Sequence, residues 1–139
     1  MAFPIPSFLK DYLKSKDFLN FQVIGARGKG KSTMIRHLLK TQNPDEYQNL
    51  PESGSSETTK KPTPYKIKKG IYIWDMPGLG GLNDSNEKHW EDYLKAYGTG
   101  HFDRTFLICN ANEGINEMEL YFLRHLIYNN RFILHNMLI

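Results

Sequence analysis

The residues Gly25-Ala-Arg-Gly-Lys-Gly-Lys-Ser32 match in full the pattern of a phosphate-binding loop, or P-loop: two glycines separated by four residues and followed by Lys and Ser. The apolar run Phe21–Ile24 precedes this loop, and apolar residues at helical spacing follow it, which indicates a strand, a turn and a helix. That order aims backbone N–H groups and a helix N-terminus at phosphate oxygens. The sequence therefore predicts a site for a phosphorylated ligand.

The polar residues of the loop have distinct predicted roles. Gly30 lets the backbone approach the phosphates, Lys31 reaches the β- and γ-phosphates as a point charge, and the Ser32 hydroxyl coordinates Mg²⁺. Arg27 either stabilises transition-state charge, as arginine fingers do, or is an exposed cation that only adds positive potential. The predicted phosphate-binding residues are Gly25, Arg27, Gly28, Lys29, Gly30, Lys31, Ser32 and Thr33.

A second group of candidates follows the apolar strand predicted to end at Trp74. Asp75 would emerge at the carboxyl end of this strand, where ligands bind in open α/β sheets, and its carboxylate suits Mg²⁺. Gly78 completes an Asp-x-x-Gly motif, and its backbone N–H is predicted to sense a γ-phosphate. The glycine loop behind it would then be a switch that orders with the triphosphate and relaxes after hydrolysis.

The segment from residue 41 to residue 63 is rich in polar and turn-forming residues, so we predict a mobile loop there. Such a loop should supply a threonine that closes over Mg²⁺ and the γ-phosphate. The candidates are Thr58, Thr59 and Thr63.

The rest of the chain alternates strand and helix patterns, which predicts an α/β fold with a doubly wound, mostly parallel sheet. Residues 1–19 are predicted to carry an amphipathic helix that packs against the domain, and residues 20–139 to form a partial nucleotide-binding domain. The domain is expected to be incomplete at its C-terminal end, because no helix follows the last predicted strand. Further strands are predicted at 65–68, 70–74 and 106–109, and a last strand is predicted to begin at 132–134. Further helices are predicted at 87–97 and 117–128.

Composition excludes several other classes of protein. The net charge of +3 is too small for a dedicated nucleic-acid surface, so no nucleic-acid partner is expected. The single cysteine, Cys109, excludes an intramolecular disulfide. The sequence has neither a long apolar span nor a signal peptide, and we expect a cytoplasmic location.

Three further stretches resemble the immunity-related GTPases: Glu57-Thr-Thr-Lys-Lys-Pro-Thr-Pro-Tyr65, Trp74-Asp-Met-Pro-Gly-Leu-Gly80 and His101-Phe-Asp-Arg-Thr-Phe-Leu-Ile108. The resemblance runs from about residue 20 to residue 134. It implies a Ras-like P-loop NTPase domain that binds GTP or GDP with Mg²⁺, and it implies association with copies of itself or related GTPases and peripheral contact with intracellular membranes. By this resemblance Thr59, rather than Thr58, is the switch threonine. The metal-site candidates are then Ser32, Thr59 and Asp75, and the candidates for hydrolysis are Arg27, Thr59 and Gly78.

Two positions depart from the pattern of a G domain. The place after the fifth strand, where a G domain reads guanine with an Asn- or Thr-Lys-x-Asp motif, is predicted to hold Asn136-Met-Leu-Ile139, which does not match the motif. Leu79 stands where Ras-like enzymes carry the glutamine that orients the attacking water, so hydrolysis would need the Thr59 carbonyl, a partner molecule or the nucleotide itself. Three functions therefore stay open: a slow Mg²⁺-dependent GTPase, a catalytically inactive truncated module that acts through protein association, and a P-loop ATPase.

Overall fold

The computed structural model describes residues 4–14, 16–25, 30–50, 61–78, 87–109, 112, 114–115, 119–120, 123–124 and 135–138, with the backbone alone at 87–91 and 135–138. Its helices are α1 (Ser7–Leu13), α2 (Lys31–Gln42), α3 (Pro44–Gln48) and α4 (Glu87–Tyr97), the last followed by a 3-10 turn at Thr99–His101. Its strands are β1 (Leu19–Gly25), β2 (Thr63–Lys68), β3 (Ile71–Asp75), β4 (Arg104–Cys109) and β5 (His135–Leu138). Within these ranges, no helix has the length and apolar character needed to cross a membrane.

The strands form one sheet in the order β2-β3-β1-β4-β5. Strand β1 is parallel to both β3 and β4, and β4 is parallel to β5. Strand β2 is antiparallel to β3, because a tight turn at Lys69 and Gly70 joins them, and the φ of +78° at Gly70 favours glycine. The mostly parallel sheet is thus confirmed.

Alternate residues of a strand point to opposite faces of the sheet, so each strand can pack against helices on both sides. Helices cover both faces here. Val23 and Ile73 pack against α2 in one apolar cluster, whose buried members are Val23, Ile35, Leu39, Ile67, Ile73 and Ile108. Ile24 and Trp74 pack against α1 and α4 in a second cluster, which includes Leu9, Ile24, Trp74, Tyr93, Leu94 and Leu107. This arrangement confirms the doubly wound architecture, and α4 has the bounds predicted for it.

Helix α1 packs against the sheet through both apolar and polar contacts. Leu9 is fully buried, and the Tyr12 ring meets Trp74 edge-on with 4.8 Å between the ring centroids. The fully buried Asn20 of β1 joins the two: its Nδ2 donates to the Tyr12 carbonyl at 3.0 Å, and its Oδ1 accepts from Trp74 Nε1 at 2.9 Å. One side chain therefore links α1 to the residue that directly precedes Asp75.

We predict that Asn20→Ala lowers the free energy of unfolding by about 2 kcal/mol, because the buried Trp74 N–H and the Tyr12 carbonyl lose their partner. Urea unfolding followed by tryptophan fluorescence measures the change. Gln48→Ala, at an exposed site on α3, is the control and should stay within about 0.5 kcal/mol of the wild type. Equal stability of the two variants would contradict the structural role given to Asn20.

The segment from residue 41 is more ordered than predicted. Helix α2 continues to Gln42 and α3 spans Pro44–Gln48, so the loop prediction is wrong for these residues. The sequence carries the reason: Asn43 caps α3, Pro44 is its first residue, and the acidic residues Asp45 and Glu46 occupy its first turn. Of the threonine candidates in this segment, Thr58 and Thr59 lie outside the described residues.

Asn43 connects three elements at this point. Its backbone N–H donates to the Leu39 carbonyl at the end of α2, and its Oδ1 accepts from the Glu46 N–H at 3.3 Å. Its Nδ2 donates to the Lys66 carbonyl of β2 at 2.7 Å. Because Tyr47 and Leu50 also pack on the α2 side of the sheet, α3 is fixed to the domain.

Replacing Asn43 by Ala should lower the free energy of unfolding by about 1–2 kcal/mol, because both the helix cap and the bond to β2 are lost. Asn43→Asp is the matched comparison, since it keeps the capping oxygen but removes the donor, and we expect it to cost about half as much. Urea unfolding of the three proteins measures both. An Asp variant as unstable as the Ala variant would show that the cap contributes nothing.

The end of the chain requires a second correction. Strand β5 covers His135–Leu138 and pairs with β4 in parallel, with Leu107 opposite Asn136. Asn136 therefore lies within the strand and not after it, so the interpretation of residues 136–139 as the base-reading position is wrong. The predicted strand at 132–134 lies outside the described residues, and the described part of the predicted helix at 117–128 is helical.

Candidate functional site

The first glycine of the P-loop is required by the packing of the sheet. Gly25 ends β1 and lies opposite Ile108 of β4. A Cβ built on Gly25 would lie 2.7 Å from the Ile108 carbonyl oxygen, which is closer than a side chain tolerates. Glycine at this position lets the chain leave the sheet directly beside β4. Arg27, Gly28 and Lys29 follow outside the described residues, and their phosphate-binding roles stay predictions.

Gly30 starts helix α2 in a left-handed conformation, with φ of +86°, which favours glycine. Its carbonyl accepts from the Met34 N–H at 3.0 Å, so the helix begins directly after it. The first N–H groups of a helix have no partner within that helix, and the helix dipole adds partial positive charge there. Among the described residues, nothing lies within 4 Å of a Cβ built on Gly30. This helix end therefore has the chemistry and the room to receive an anion.

Lys31 is a buried cation at the same helix end. Only 9% of its surface is exposed. Burial lowers the pKa of Lys31, and the Asp75 carboxylate raises it in part. A phosphate beside the ammonium would stabilise the charged form further, because an anion favours a neighbouring cation.

Ser32 and Asp75 meet although they are 43 residues apart. The Ser32 hydroxyl of α2 donates to Asp75 Oδ2 at the end of β3, at 2.9 Å. The structure thus brings together the hydroxyl and the carboxylate that the sequence assigned to Mg²⁺. Oxygen ligands of this kind are the ones that Mg²⁺ prefers, so this donor set fits the ion. Thr33 follows Ser32 and is exposed.

The remaining candidates lie in two places. Thr63, the last of the three threonines, sits in β2 opposite Asp75, but its hydroxyl donates to the Lys61 carbonyl at 3.1 Å. Gly78 is half-buried three residues beyond Asp75. Thr59 and Leu79 lie outside the described residues.

One contact near Gly78 was not predicted. The Tyr93 hydroxyl of α4 donates to the Pro77 carbonyl at 2.6 Å, and the bond is buried. The helical pattern at 87–97 predicts the helix but no contact of the Tyr93 hydroxyl. No local signal in the sequence identifies the partner of its hydroxyl, because Pro77 and Tyr93 are 16 residues apart.

A family model described as interferon-inducible GTPase (IIGP) matches residues 5–123. The chain belongs to the interferon-inducible GTPase family. This membership confirms the resemblance to immunity-related GTPases inferred from the sequence.

Two relatives agree with this assignment, and one solved structure shares the fold. Interferon-gamma-inducible GTPase 10 of Mus musculus is 36% identical over 104 residues, or 73% of this chain. Interferon-inducible GTPase 5 of Bos taurus is 32% identical over 120 residues, or 82% of this chain. The chain spans 24% of the length of each. The bacterial selenocysteine-specific elongation factor EF-Sec matches with a TM-score of 0.50 at 22% identity, over 79% of this chain and 18% of its own, and confirms the P-loop NTPase fold.

The burial of Lys31 leads to a prediction about stability. Lys31→Met keeps an unbranched side chain of similar length but removes the cost of burying a charge. We expect the free energy of unfolding without nucleotide to equal that of the wild type or to exceed it by up to about 1 kcal/mol. Urea unfolding measures this. A loss of about 2 kcal/mol or more would show that the ammonium stabilises the fold itself.

Proposed function

We propose that this chain binds GTP and GDP together with Mg²⁺ and acts as a slow GTPase switch. The observation that carries the proposal is the hydrogen bond between Ser32 and Asp75, next to the buried ammonium of Lys31. It joins the P-loop to the Asp-x-x-Gly motif at the carboxyl edge of the sheet, where α/β folds bind ligands.

The phosphates would lie at the start of α2. The N–H groups of its first turn and the P-loop backbone would donate to phosphate oxygens, and Lys31 would offset the charge of the β- and γ-phosphates. Gly30 presents its open side to the same place. The bound phosphate would thereby stabilise the charged form of the buried Lys31 side chain.

Ser32 and Asp75 would hold Mg²⁺, with Thr59 as a further proposed ligand. The ion would neutralise part of the phosphate charge when bound. The hydrogen bond between Ser32 and Asp75 keeps both oxygen-bearing side chains at the edge of the sheet. The site then needs little rearrangement to receive the ion, which reduces the cost of binding.

The base of the bound nucleotide is inferred from the protein family. The family and the two relatives above are all named as GTPases, which favours guanine over adenine. We propose that Arg27, Thr59 and Gly78 take part in hydrolysis. Because Leu79 cannot orient water, turnover by the chain alone should be slow.

The resemblance to immunity-related GTPases also leads to proposals about partners and location. We propose association with a second copy of the chain or with related GTPases, in the cytoplasm and at the surface of intracellular membranes. The segments around Thr59 and Gly78 would differ in conformation between the triphosphate and diphosphate forms. Partners would recognise this difference.

The test is an equilibrium titration of the purified chain with fluorescent GTP, GDP and ATP, in Mg²⁺ and in a chelator. We expect both guanine nucleotides to bind more tightly than ATP. Lys31→Ala should weaken guanine binding about tenfold or more, the loss expected for one charged hydrogen bond. Ser32→Ala should weaken it in Mg²⁺ but not in the chelator.

The controls are Lys40→Ala and Ser7→Ala, at exposed sites on α2 and α1. Neither should change binding. Tight ATP binding would instead identify a P-loop ATPase. Absence of binding to any nucleotide would overturn the proposal and favour an interaction module, whereas binding without measurable turnover would remove only the hydrolytic step.

A further inference from the structure

The peptide unit between Pro77 and Gly78 has a fixed orientation. The Tyr93 hydroxyl donates to the Pro77 carbonyl at 2.6 Å, within the cluster that packs beneath α4. The Tyr93 ring is itself held, because it contacts Tyr97 edge-on with 4.7 Å between the centroids. Only 8% of Tyr93 is exposed, so water does not compete freely for this bond.

Fixing a carbonyl also fixes the N–H on the other side of the same peptide bond. The peptide unit is planar, and in its trans form the C=O and N–H point in opposite directions. The carbonyl of Pro77 points into the core, towards Tyr93. The N–H of Gly78 therefore points away from that core, and Gly78 is half-buried at the edge of the sheet.

We propose that Tyr93 is a positioning residue of the nucleotide site: its hydroxyl holds the Pro77–Gly78 peptide plane so that the Gly78 N–H faces the terminal phosphate of a bound nucleoside triphosphate. Asp75, three residues earlier, marks the phosphate end of the site through its bond to Ser32. Without the Tyr93 bond, the peptide plane is free to rotate and the N–H loses its alignment. The inference rests on the proposed function.

The hydroxyl remains a donor throughout the physiological range. Burial, followed by the nearby Tyr97 and Asp75, raises the pKa of Tyr93 above its ordinary value. The group thus stays protonated at neutral pH and keeps its proton for the bond to the Pro77 carbonyl.

The role predicts a selective effect on the triphosphate. Only a triphosphate presents a γ-phosphate to Gly78, so only its affinity depends on the direction of that N–H. A defect in folding would instead lower the active fraction and affect both nucleotides alike. The ratio of the two affinities therefore separates positioning from stability.

The experiment compares the wild-type chain with Tyr93→Phe, which keeps the ring and removes the hydroxyl. The ligands are GDP and a GTP analogue with an imido group between the β- and γ-phosphates, both in Mg²⁺. Affinity for the analogue should fall about threefold to tenfold, the factor for one net hydrogen bond, and affinity for GDP should stay within about twofold. Tyr72→Phe, at a half-buried tyrosine of β3 away from the Pro77–Tyr93 bond, is the control and should change neither.

An unchanged ratio in Tyr93→Phe, with both nucleotides bound by the wild type, would overturn this proposal and leave the proposed function standing. A wild-type chain that binds neither nucleotide would overturn both.

A second measurement follows the wild-type chain and stands even if Tyr93→Phe does not fold. Glycine labelled with ¹⁵N gives amide signals from the 11 glycines, and the Gly78→Ala variant identifies the signal of Gly78. That signal should move with the triphosphate analogue and not with GDP. An equal response to both ligands would overturn the proposal.

Discussion

The parallel pairing of β1 with β3 governs the geometry of the site. With Val23 opposite Asp75, the end of β3 lies beside the end of β1, and the P-loop and the carboxylate leave the sheet at the same edge. Ser32 then reaches Asp75 across 43 residues of sequence. Because neither motif assembles this contact alone, the site exists only when the sheet has formed. Any ligand that binds there therefore also stabilises the sheet.

The two faces of β1 hold their helices by different means. The face towards α2 is apolar and includes Val23 and Phe21. On the other face, Asn20 bonds to α1, and Gln22 donates from Nε2 to the Thr99 carbonyl at 2.8 Å and to Thr105 Oγ1 at 2.7 Å. Buried hydrogen bonds have fixed directions, whereas apolar packing is less directional. The side that holds α1 and α4 is thus the more sharply specified.

Sequence reasoning succeeded where a signal is local or periodic. The P-loop, the apolar strand before Asp75 and the helix at 87–97 needed only spacing and alternation, and the order of elements followed from them. Sequence reasoning failed where a short polar segment forms a helix. The capping residue Asn43 and the proline after it indicate α3, but the polar composition of the whole segment led to the prediction of a loop. Sequence reasoning could not foresee the bond from Tyr93 to Pro77 either, because such contacts depend on how a finished helix lies on the sheet. The base-reading position was also misassigned, since a short apolar run does not show where the last strand ends.

Helix α3 has a consequence for the outer edge of the sheet at β2. An exposed strand edge offers its free N–H and C=O groups to strands of other molecules, and such pairing starts aggregation. Here Asn43 occupies the Lys66 carbonyl, and Glu46 Oε1 approaches the Lys66 N–H at 3.5 Å. The exposed side chains of Lys66 and Lys68 add charge along the same strand. A five-residue helix thereby covers part of this edge and disfavours the pairing of β2 with strands of other molecules.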